Sequence, residues 1–270
     1  MIARTAAFEP GAELQRGAEL LVKHWVLAIP TAVASLLFAV IVIFSVLSVI
    51  ASTVLGGATG GHIGTGLGFG TGVLVALALI FAGMVAIYVA QAMVIAAAPG
   101  VYEDRPPDLG AAFAVTLRRL PDLFVALVAT FALALIPAIL CFVLIGFPLL
   151  LVLGYFLMYV PAAVVVGNEG GIEAISTSFR LTTQHLSESI IGWLGLIAAL
   201  IAGYIANSIA IHLPLINLLA AFAIGGFTHA YAALITVRFY LALRNAPPPL
   251  ALQQFAPPPP PIGGPPSISP

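Results

Sequence analysis

Charge is scarce in this chain: 7% of its residues are Asp, Glu, Lys or Arg, against 61% hydrophobic. A soluble domain of this size would lack the ionised surface that keeps it in solution, so that class is excluded. Cysteine is nearly absent. Cys141 lies in an apolar run, which leaves no disulfide framework and no Cys-based zinc site. The nine Lys and Arg are scattered and the net charge is -1, so there is no basic footprint for nucleic acid. HExxH, GxSxG, GxGxxG and a Cys-His pair are all missing, and the glycine-rich stretch 56–72 has no lysine to make a P-loop. No catalytic, cofactor-binding or metal residues are therefore assigned, and an enzyme is not expected.

The charges that are present are confined to four windows, 1–23, 103–122, 169–188 and 238–244. Three uncharged stretches lie between them: His24 to Tyr102, Leu123 to Asn168 and Ser189 to Val237. No Asp or Glu falls inside them, which excludes a carboxylate proton relay. The shortest is long enough, as one helix, to reach about twice the hydrocarbon thickness of a bilayer at about 1.5 Å per residue. Each must fold back on itself. The expectation is an all-α polytopic bundle of six transmembrane helices in three hairpins, near 26–52, 73–98, 123–145, 148–166, 190–211 and 216–237. Turn signals sit at the glycine-rich 56–72, at Gly146-Phe147-Pro148 and at His212-Leu213-Pro214. This topology puts every Lys and Arg on one side, and the positive-inside rule then assigns both termini to the cytoplasm.

Each hairpin is preceded by an amphipathic segment, near 11–25, 108–120 and 169–188. The first puts Leu14, Ala18, Leu21 and Trp25 on one face; the second starts at Asp108, a fitting N-cap. The stretch 56–72 reads as an outside loop containing His62, or as a backward extension of the second span with Gly64, Gly68 and Gly72 in a packing stripe. Pro137 and Pro161 should bend spans three and four, and Gly195, Ala199 and Gly203 form a small-residue face on span five. Residues 1–244 form the membrane domain, and the uncharged Pro-rich stretch 245–270 reads as a disordered tail.

The central segment carries the densest polar chemistry. From Ile172 onward at 100° per residue, Ile172, Ile175, Phe179, Thr183 and Leu186 share one side, which is expected to lie on the membrane. Glu169, Glu173, Arg180, Gln184 and Glu188 share the other, and Glu169, Glu173, Arg180 and Gln184 are the candidate functional surface. Within the spans, Asn207 and His229 are the candidate polar pair, alongside Gln91, Tyr204, Ser208 and Tyr231.

Val165-Val166-Gly167-Asn168-Glu169-Gly170-Gly171, followed by Glu173-Ala174-Ile175-Ser176-Thr177-Ser178-Phe179-Arg180-Leu181-Thr182, resembles a motif of bacterial membrane proteins. It is the six-span membrane domain found fused to some glycerophosphodiester phosphodiesterases and in related uncharacterised families. The ending YAALITVRFYLALR, Tyr231 to Arg244, is similar to that domain's aromatic-then-arginine finish. The resemblance implies six spans and no phosphodiesterase activity, because the catalytic barrel has no room in this chain. The expected function is to organise lipids or a protein partner through the cytoplasmic surface helices; the alternative is a small-solute transporter or permease.

Overall fold

The computed structural model describes residues 8–141, 144–210 and 217–245, without the side chains of 55–69, 210 and 217–219. Among the described residues the chain is helical, with no strand. Six apolar helical segments are long enough to cross a membrane: Trp25–Val54, Gly70–Tyr102, Leu120–Leu140, Gly146–Val165, Leu186–Ile209 and Ala220–Arg244. The protein is a multi-pass integral membrane protein, an all-α bundle. Backbone groups in lipid must bond within their own segment, and helices meet that demand.

Helix α1 (Pro10–Lys23) precedes the first span. Helical backbone then runs from Ala28 to Tyr102 as α2, without the loop expected over 56–72. At about 1.5 Å per residue a straight helix of this length would exceed 100 Å. It is not straight. Gly72 faces Ser52 and Val49, and Gly83 faces Phe38 and Ile41, so the two limbs lie antiparallel and the chain reverses between 52 and 72. The hairpin is present even though its turn keeps helical backbone. Gly72 packs as the small-residue stripe requires, whereas the packing of Gly64 and Gly68, and the side chain of His62, lie outside the described residues.

Asp108 caps α3 (Leu109–Arg118) by accepting from the Ala111 amide at 2.9 Å. Spans three and four comprise α4 (Leu120–Leu140), α5 (Gly146–Leu157) and α6 (Val160–Val165). Pro137 lies inside α4, but Pro161 begins α6, so it marks a break in span four instead of bending a continuous helix. Helix α7 (Gly171–Gln184) fills the central segment, and α8 (Leu186–Ala210) and α9 (Asn217–Arg244) complete the bundle. The turn at 212–214 and the tail 246–270 lie outside the described residues.

First and last spans close the bundle where Gly226 meets Ala32 and the Ala28 carbonyl, and Thr31 Oγ1 donates to the Gly226 carbonyl at 2.8 Å. On α8, Gly192 faces Phe239, Gly195 faces Leu14 and Gly203 faces Thr228. The small face of span five thus serves α1 as well as α9. The largest fully buried side chains, Tyr159, Tyr240 and Phe239, lie toward the charged end, while much of the spans' outer surface is bare Leu, Ile, Val and Phe.

Candidate functional site

All four charged windows meet at one end of the bundle. Lys23 Nζ bonds Asp104 Oδ1 at 3.0 Å, joining the first window to the second. That ammonium holds the exposed Asp104 carboxyl below its usual range. A carboxylate stabilised in this way contributes above its unfolded pKa, and the contribution is lost as pH falls through the folded one. Arg238 grips Glu13 with two parallel bonds, Nε to Oε2 at 2.8 Å and Nη2 to Oε1 at 2.6 Å, joining the last window to the first. Arg16 donates to the Tyr102 carbonyl at 3.3 Å, Tyr231 Oη to the Leu14 carbonyl at 3.1 Å, and Tyr102 Oη to the Leu234 carbonyl at 3.2 Å. Helix α1 is thereby fastened to α2 and α9.

The central helix turns Gly171, Ala174, Thr177, Ser178, Leu181 and Thr182 toward the rest of the protein, while Ile172 and Leu186, expected to lie on the membrane, are 63% and 52% exposed on the bundle's surface. Small and hydroxylated residues let its backbone approach α4 closely: a Cβ on Gly171 would strike the Asp122 carbonyl and the Ala126 amide. Ser178 also mends the break in span four. Its Oγ donates to the Phe156 carbonyl at 2.6 Å and accepts from the Tyr159 amide at 3.2 Å. Tyr155 Oη donates to the Thr182 carbonyl at 3.2 Å, and Phe179 stacks on Phe156 with centroids 4.9 Å apart. Amphipathicity located the helix but did not mark its protein-facing side, because hydroxyls that bond backbone count as polar in a periodicity reading.

Glu169, Arg180 and Gln184 line one cleft of about 280 Å³, together with His185 and Arg244. Glu173, exposed on α7, is not part of its lining, and among the described residues no ion pair joins it to Arg180. Glu169 precedes α7, after Asn168 takes a left-handed φ of 62°, and Glu188 belongs to α8. Tyr240 Oη donates to Glu169 Oε1 at 3.2 Å and accepts from Arg244 Nη1 at 3.1 Å, while Glu169 Oε2 is buried without a partner among the described residues. Sequence reading missed Arg244 and His185 in the lining of this cleft, and Tyr240 as the hydroxyl that bonds Glu169 and Arg244. Tyr240 and Arg244 were legible only as an i, i+4 pair closing the last span.

Asn207 and His229 are not joined by a hydrogen bond among the described residues. His229 Nδ1 instead meets Gln91 Nε2 at 3.0 Å, and Asn207 Oδ1 is buried without a partner among the described residues. The second limb of α2 runs parallel to α9, with Gln91 meeting His229 and Tyr102 meeting the Leu234 carbonyl along it. Among the described residues no group of three or more His, Cys, Asp or Glu side chains is placed to hold a metal ion. No family model, curated protein or solved structure matches this chain.

Proposed function

We propose that this is a non-enzymatic protein of the bacterial cytoplasmic membrane, with both termini cytoplasmic, whose charged end organises a lipid or protein partner. The observation that carries the reading is the 280 Å³ cleft at that end, where Glu169, Arg180 and Gln184 converge with Arg244. Glu13 and Arg238 are spent on fastening α1 to α9, whereas Arg180 and Gln184 line the cleft without joining one helix to another through an ion pair among the described residues. The resemblance of 165–182 to a six-span membrane domain belongs to the same proposal and carries no catalytic activity with it. A permease is the second reading, favoured by the Gln91 and His229 contact between spans.

A photo-crosslinking residue at Gln184 tests the reading in living cells, with the lipid-facing Leu194 as the control position. Discrete protein or lipid adducts at 184 that are absent at 194 are expected. Identical patterns at the two positions would remove the cleft from consideration.

A further inference from the structure

We propose that the cleft seats a phosphate-type anion between the guanidinium groups of Arg180 and Arg244. This rests on the functional reading above and names its ligand class. Of the cations at the charged end, Lys23, Arg105, Arg119 and Arg238 each have a carboxylate partner, while Arg16 and Arg118 donate to the Tyr102 and Ala114 carbonyls. Arg180 and Arg244 also lack a carboxylate partner among the described residues, and they are the two arginines that line the cleft. Arg180 reaches only the Thr177 hydroxyl, at 3.5 Å, and Arg244 donates to Tyr240 Oη and lies over its ring, 5.7 Å from the centroid. Two guanidiniums without a carboxylate partner in one cleft suit the tetrahedral oxygens of a phosphate, which the planar fork binds through paired hydrogen bonds.

Glu169 has to be counted against this, since it lines the same cleft. Tyr240 stands between it and Arg244, so carboxylate and guanidinium are linked through a hydroxyl and do not neutralise each other directly. Two arginines and one glutamate leave the lining formally positive. The ligand is therefore an anion, and Glu169 weakens its binding. A volume of about 280 Å³ lies at the lower edge of small-molecule pockets, which suits a single phosphoryl group with a short substituent. Arg244 ends the last span and Arg180 lies on the surface helix, so the cleft sits at the end of the bundle where lipid phosphates lie. The same chemistry is offered by a lipid phosphomonoester and by a soluble phosphate.

The full chain in phosphatidylcholine nanodiscs is titrated with inorganic phosphate at constant ionic strength, and separately rebuilt in nanodiscs with added phosphatidic acid. Thermal unfolding is the readout. Stabilisation by phosphatidic acid alone identifies a lipid headgroup, and stabilisation by inorganic phosphate identifies a soluble ligand. In whichever arm responds, R180Q and R244Q should each weaken binding by roughly tenfold or more, the loss expected for a charge-assisted pair. E169Q, which keeps an acceptor for Tyr240, should tighten it. If the glutamine variants do not fold, R180K and R244K replace them and should bind several-fold more weakly than the parent, because a lysine lacks the fork. Three results overturn the proposal: no response in either arm, arginine variants that bind like the parent, or weaker binding by E169Q. Adducts at Gln184 alongside any of these would leave the functional reading standing and remove only the phosphate.

Discussion

Breaking the Glu13 and Arg238 pair should loosen the whole charged end. The two bonds, at 2.8 and 2.6 Å, tie the first helix to the last span across 225 residues of sequence. The side chains are only partly accessible, Arg238 at 30% and Glu13 at 13%. Removing one partner of a fully buried pair costs about 3–5 kcal/mol, while an exposed pair is worth about 1 kcal/mol at most. In E13A the stranded guanidinium keeps its place over the Tyr102 ring, 5.6 Å from the centroid, and can recruit water. An intermediate loss of about 2 kcal/mol follows. Helix α1 would still be held by the Tyr231 bond to Leu14, by Leu14 against Gly195 and by Gly17 against Ile235, so E13A should fold. Thermal unfolding in detergent of E13A, R238A and the double variant closes a double-mutant cycle, with an expected coupling of about 1–2 kcal/mol. Strictly additive losses, or an E13A protein as stable as the parent, would refute the idea that this pair fastens α1.

Ser178 and Gly226 give two further predictions. S178A leaves the Tyr159 amide and the Phe156 carbonyl without their side-chain partner at a buried helix break, at about 1–3 kcal/mol per orphaned group, and S178T should recover part of the loss. Gly226→Leu pushes side-chain atoms against the Ala32 Cα and the Ala28 carbonyl, both 2.9 Å from the added Cβ, so the first and last spans must separate. A loss of about 3 kcal/mol or more and a lower yield of folded protein in detergent are expected, since backbone cannot yield as a side chain does.

The spans were legible because lipid imposes a simple rule: uncharged runs too long for one crossing must fold back, and the ends of each run carry the charge. Boundaries moved where polar residues entered helix ends. Span five begins at Leu186 and takes in Glu188, and span six continues to Arg244, both through side chains that can reach the aqueous edge. The cleft was half legible. Glu169, Arg180 and Gln184 share a sequence window and were grouped by periodicity, but Leu243 and Arg244 come from a helix end some 60 residues away. Only tertiary packing brings them in. Asn207 and His229 were paired because their spans are consecutive, yet His229 was met by Gln91 from the second span. Sequence adjacency is a poor guide to which faces of a bundle touch. The Gly226 contact was missed for the same reason: a lone glycine in an apolar helix carries no sign of what approaches it.

The arrangement of all charged windows at one cytoplasmic end is the central claim, and cysteine accessibility in intact cells tests it most directly. In a Cys141→Ser background, single cysteines replace Thr65, at the reversal of the first hairpin, and Gln15, exposed on α1. An impermeant thiol reagent should label position 65 in intact cells and position 15 only after the membrane is opened. Labelling at 15 with protection at 65 would invert the protein in the membrane, and labelling of both would break the first hairpin's topology.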